Sequence, residues 1–179
     1  VIPVRDSAAA FSQVRAMQDE WRGAGRDSTG LYTTAQVGGC ILAEGEDAGS
    51  ARAKAQGGPA AAMVMHDLVE AEQFGTQGYR IPDEARPVLD AYKALYQSYE
   101  PADARYLSIH RGHLMILRPE EEHLIGGELI KALSFTATAP ELRERIRALR
   151  EAGYSQVSFH IRYGQDDTIE EWAELAASV

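Results

Sequence analysis

The chain has 179 residues, with 18 Lys and Arg against 27 Asp and Glu, for a formal net charge of −9. At 45% hydrophobic and 25% charged it has the profile of one globular domain with a sizeable core. The acidic balance argues against nucleic acid, and no apolar run approaches the roughly 20 residues that span a bilayer. The single cysteine, Cys40, excludes an internal disulfide and a cysteine-rich metal site, so a reducing cytoplasm is the expected setting.

In chain order, Val1-Ile2-Pro3-Val4 reads as a strand, with no charged leader and no small-residue cleavage site. A chain that opens inside a strand leads us to expect sequence before it. Asp6 or Ser7 can cap a helix whose Phe11, Val14, Met17 and Trp21 share one face, with Gly23 and Gly25 as its stop. Leu31 to Leu42 alternates as a second strand through Gly38-Gly39-Cys40. Asp47 to Ala55 is Ala-rich and helical in pattern, and Gly57-Gly58-Pro59 is expected to break it before a helix bearing Met63, Met65, Leu68, Val69 and Phe74.

After a Gly- and Gln-rich loop through Arg80, Pro82-Asp83-Glu84 starts a helix striped by Val88, Tyr92, Leu95 and Tyr96. Ala102 to Gly112 reads as a further helix, the run Glu120 to Glu122 as a solvated turn, and Glu128 to Leu133 as a short helical piece. Pro140 to Gly153 is an amphipathic helix with Leu142, Ile146 and Leu149 on one face. Gln156 to Ile161 follows as a strand, and Thr168 with Glu171 reads as a capping box for the last helix. Helix, glycine turn, strand, helix is the cadence of a parallel α/β protein.

Only three strands are convincing, and some 110 mostly helical residues separate the second from the third, far beyond an ordinary crossover. Three strands with one large insertion make an awkward complete domain but a natural last part of an α/β barrel. The expected fold is therefore α/β, the C-terminal part of a TIM-like (β/α)8 barrel with a helical insertion between the last two strands. Residues 1–56 would form two βα units, 57–135 the insertion and 136–179 the last helix-strand-helix unit.

The residues also resemble a family. Val1-Ile2-Pro3-Val4, Gly25-Arg26-Asp27, Gly38-Gly39-Cys40-Ile41-Leu42, the stretch from Glu44 to Ala55, the segment Tyr106 to Leu114 and Thr138-Ala139-Pro140-Glu141-Leu142-Arg143-Glu144-Arg145-Ile146 are similar to the luciferase-like monooxygenases. The branch they look most like is the methylenetetrahydromethanopterin-reductase-like one. The resemblance implies a TIM-like barrel that binds FMN or a deazaflavin coenzyme at its mouth. It implies hydride transfer or oxygen activation on a small organic substrate. The end of the first strand would stand near the isoalloxazine ring, which makes Ile2 and Pro3 cofactor-wall residues. The cofactor would belong to the intact enzyme, and this chain alone is expected to bind it weakly or not at all.

Barrel function gathers where strands end, which points to Arg5 after the first strand and to His160 and Arg162 after the last. His110-Arg111-Gly112-His113 is the most conspicuous polar cluster, and a long insertion suits a substrate lid, so His110, Arg111 and His113 join that set. No metal is assigned to them, because the spacing supplies no third ligand. His66 reads as a core or surface histidine and Cys40 as inert. No catalytic residue is identifiable. The leading reading is thus the oxidoreductase portion, and the alternative is a non-catalytic half-barrel that self-associates or pairs with a separate N-terminal chain, since an unpaired parallel sheet exposes its edges. A third is an unrelated small α/β enzyme whose histidines do acid-base work.

Overall fold

A computed structural model describes residues 2–3, 7–75 and 81–179. Val1, Val4, Arg5, Asp6 and residues 76–80 lie outside the described residues. The chain runs β1 (Ile2–Pro3), α1 (Ser7–Gly23), β2 (Thr34–Val37), β3 (Ile41–Leu42), α2 (Ala51–Phe74), α3 (Arg86–Gln97) and α4 (Arg105–Ile109). It continues through α5 (Gly127–Leu133), β4 (Ala137–Thr138), α6 (Ala139–Ala152), β5 (Gln156–Phe159) and α7 (Thr168–Ala177). No helix among the described residues is long and apolar enough to cross a membrane.

Every strand pair is parallel. One sheet has the order β1-β2-β5, with Pro3 opposite Gln36 and Val37 opposite Phe159. The other joins β3 to β4, with Ile41 opposite Ala137. The expected second strand is thus divided. Its first half pairs with β5 and its second with β4, a short strand that alternation did not reveal. Gly39 stands at the crossing because a Cβ there would lie 2.2 Å from the Phe135 carbonyl.

Two cores follow from the helices. Val14 of α1, Ala35 and Val37 of β2, Leu142, Ile146 and Leu149 of α6 and Trp172 and Leu175 of α7 form one cluster, so α1, α6 and α7 cover the same face of the sheet. The second cluster unites α2, α3 and α5 through Met65, Leu68, Tyr92, Tyr96, Ile125 and Ile130. Most residues of the stripes expected on these helices lie in one core or the other, as their three- and four-residue spacing requires, but Phe74 is 61% exposed and Trp21 and Met63 lie outside both clusters.

Three local expectations need correction. The helix α2 runs through Gly57-Gly58-Pro59 without a break. Gly57 is there for close packing: a Cβ would meet Thr136 Oγ1 at 2.5 Å and Ile130 Cγ2 at 2.8 Å. Tertiary packing against α5 overrides the breaker signal. The capping box lies at Thr138 and Glu141, where Glu141 Oε2 accepts from the Thr138 backbone N–H at 2.9 Å. At α7, by contrast, the cap position is Asp167, and the Thr168 hydroxyl donates back to the Gln165 carbonyl at 2.7 Å. The helix expected over 102–112 shrinks to the five residues of α4, with His110 as its C-cap.

Candidate functional site

Two polar arrangements stand at the junction of the sheet and the helical segment. The first is a recess of about 80 Å³ at the carboxyl ends of β2 and β5. Gln36, Gly38, His160 and Arg162 line it from the strand ends, and Met63 and Leu114 from the helical side. The register sets Pro3 beside Gln36, so the end of β1 adjoins the same rim.

Arg162 is 4% exposed, and no carboxylate is recorded within ion-pair distance of it among the described residues. Its Nε donates to the Gln56 carbonyl at 3.3 Å and its Nη1 to the Leu114 carbonyl at 2.7 Å, tying α2 and the 114 turn to the end of β5. Burial pushes its guanidinium down to about 10, still charged at neutral pH. The Nη1 also lies 3.1 Å from His160 Nδ1. A guanidinium only donates, so Nδ1 accepts and the neutral ring carries its proton on Nε2. Burial first, and the Arg162 charge second, hold His160 below the ordinary imidazole range.

The second arrangement lies further along α2. Met63, His66 and Glu70 recur at three and four residues, so a helix carries them on one face. His66 is 4% exposed, and its Nε2 lies 2.5 Å from Glu121 Oε1. The same oxygen accepts from Tyr92 Oη at 2.7 Å, and Oε2 accepts from Arg118 Nε at 2.9 Å. Arg118, itself buried, also donates to the Ser108 carbonyl at 2.6 Å and to Tyr99 Oη. Burial alone would raise the Glu121 pKa, but the His66 and Arg118 hydrogen bonds outweigh it and hold the carboxyl down to about 2.

His110 and His113 close this second arrangement. His110 Nε2 meets the Glu70 carboxylate at 2.9 and 3.0 Å, and its Nδ1 lies 3.0 Å from His113 Nδ1. Gly112 (φ 74°) and Leu114 (φ 62°) flank His113 in left-handed conformations, and this tight turn folds its ring back onto His110. Burial, then His110 and His66, keep the His113 pKa below its usual value. Ring nitrogens of His66, His110 and His113 lie within 4.8 Å of one another, so the three side chains could hold one metal ion.

The residues grouped in advance as cofactor and lid side chains therefore divide. His160 and Arg162 line the rim, which the backbone of Pro3 adjoins by pairing beside Gln36, while His110 and His113 join His66 and Glu70. Arg111 stands apart, with its side chain 75% exposed and only a 3.7 Å approach to Glu120. Arg5 lies outside the described residues. Glu121, expected in a solvated turn, is 1% exposed, because three donors compensate its desolvation. The four-residue spacing of His66 and Glu70 on α2 was a signal for this cluster. Nothing local marked their meeting with residues 110–121.

A wider groove of about 700 Å³ runs along Ile41 to Glu46 beside α6 and α7. Of the two arginines that line it, Arg52 is engaged by Glu46, Glu171 and the Ile41 carbonyl, and Arg143 donates from Nε to Ser178 Oγ at 2.7 Å. Compared with family models, curated proteins and solved structures, the chain matches none of them.

Proposed function

We propose that this chain is the C-terminal portion of a luciferase-like, flavin- or deazaflavin-dependent oxidoreductase, built as the last wall of a TIM-like barrel. The observation that carries the reading is the recess at the carboxyl ends of parallel strands, where barrel enzymes keep their chemistry. Support comes also from the winding. β1, β2 and β5 are parallel neighbours in one sheet, with β3 and β4 intervening in the chain between the last two, and the helices α1, α6 and α7 pack in the core cluster that includes β2.

The recess, at about 80 Å³, is well below the roughly 300 Å³ of a small-molecule cavity, so these residues would supply part of a wall rather than a whole cofactor site. A bound FMN or deazaflavin would supply hydride transfer or oxygen activation on a small organic substrate. In this reading Arg162 presents a fixed positive charge at the rim and pins the helical segment over it. Neutral His160 offers a donor at Nε2. Met63 and Leu114 exclude water from the recess.

The test is a titration of the protein, with any longer chain or partner it functions with, using FMN and a deazaflavin coenzyme and following coenzyme fluorescence. Saturable binding of one of them is expected, weakened about tenfold or more, or about 1.4 kcal/mol, by His160→Ala. Binding of neither coenzyme refutes the reading. A second reading, a half-barrel that pairs with a copy of itself or with an N-terminal chain, rests on β5, which among the described residues pairs with β2 alone. Association that persists without any coenzyme binding would favour it.

A further inference from the structure

His66 presents an anomaly that the hydrogen-bond network does not resolve. Its Nε2 faces Glu121, yet its Nδ1 is buried and has no hydrogen-bond partner among the described residues. A buried ring nitrogen left unsatisfied loses its water without a replacement, so such an atom calls for an occupant. Two other imidazoles stand beside it, His110 and His113, with centroids 5.7 and 6.0 Å away.

The wiring of these rings is that of metal ligands. A ligating histidine binds through one nitrogen and donates the other N–H to a carboxylate, which sets its tautomer and strengthens it as a donor. Two of the three rings have that partner: Glu121 on His66 Nε2 and Glu70 on His110 Nε2. In both, Nδ1 is the nitrogen left for an ion, and the third ring presents its own Nδ1 to His110 at 3.0 Å.

We propose that His66, His110 and His113 bind a divalent transition-metal ion, zinc foremost, with Glu121 and Glu70 as the outer carboxylates that orient two of the imidazoles. Three nitrogens favour zinc, cobalt, nickel or copper over magnesium or calcium, which prefer all-oxygen cages. A tetrahedral ion with bonds of about 2.0–2.1 Å sets its ligands about 3.3 Å apart, so binding draws in the widest of the present separations. The His110 side chain is 34% exposed, which gives the ion an entry and leaves the fourth position open to water or an exogenous ligand. The ion would clamp the turn at 110–113 onto α2. The inference stands independently of the oxidoreductase reading, because none of its ligands comes from the strand-end recess.

The tag-free protein is stripped with chelator, freed of it, and titrated with cobalt(II) followed by visible absorbance, then with zinc(II) followed by calorimetry. One equivalent is expected, with cobalt bands that zinc abolishes and a raised melting temperature. His110→Ala and His113→Ala, each checked for folding by circular dichroism, should weaken zinc by about 100-fold or more, and Glu70→Gln by about 10- to 100-fold. Exposed His123 is the control, and His123→Ala should bind like the parent. Absence of saturable binding up to about 100 μM metal overturns the proposal. So does parental affinity in folded His113→Ala, or an equal loss in His123→Ala.

Discussion

Replacing Glu121 by Gln keeps the shape of the side chain and removes its charge, and the structure dictates the consequence. Oε1 accepts from Tyr92 and faces His66 Nε2, while Oε2 accepts from Arg118. An amide can present its oxygen to only one of these sides. With the NH2 toward Arg118, two donors face each other. With the NH2 toward His66, that ring loses its acceptor. The electrostatic size follows from the carboxyl held at about 2 against an ordinary 4.5. At about 1.4 kcal/mol per pH unit that gap is about 3 kcal/mol.

Because the folded value lies below the unfolded one, this stabilisation is complete above about pH 4.5 and disappears as pH falls through about 2. Denaturant unfolding followed by tryptophan fluorescence, with chelator present, should therefore find Glu121→Gln about 3 kcal/mol less stable at pH 7. Near pH 3 the difference should have shrunk to about half of that, and near pH 2 it should vanish. A difference under about 1 kcal/mol at pH 7, or one unchanged between pH 7 and pH 3, refutes the assignment of Glu121 as the charged hub.

Two further expectations concern packing and capping. Gly57→Ala should destabilise by about 1–3 kcal/mol, although Gly-to-Ala inside a helix ordinarily gains about 1 kcal/mol, because the new Cβ meets Thr136 and Ile130. A higher melting temperature in that variant would show that α2 and α5 are not in close contact there. Thr138→Ala breaks the capping box and should cost about 1 kcal/mol in denaturant unfolding. An unchanged midpoint would count against the cap.

Much of this architecture was already written locally. Val14, Leu142, Ile146 and Leu149 declare buried helix faces by spacing alone, and Pro140 with Gly153 brackets α6 before any fold is known. The α/β cadence and the parallel pairing of the last strand follow from the same local grammar. Local signals failed where a distant partner changed their meaning. Gly57 reads as a break until α5 approaches it and Gly58 until Leu117 does, and β4 is too short to alternate.

The site divides in the same way. His110 and His113 stood out by their three-residue spacing, and His160 and Arg162 by their place after a strand. His66 was an ordinary helix residue, and Glu121 one of a run of three acids. Their conjunction depends on α2 packing against the 105–121 segment, a contact between positions 55 residues apart that no period in the sequence encodes. Hydrophobic periodicity is a property of neighbours along the chain, and so the sequence alone determined which faces are buried. A cluster of imidazoles and carboxylates is a property of neighbours in space, and only the tertiary structure could decide it.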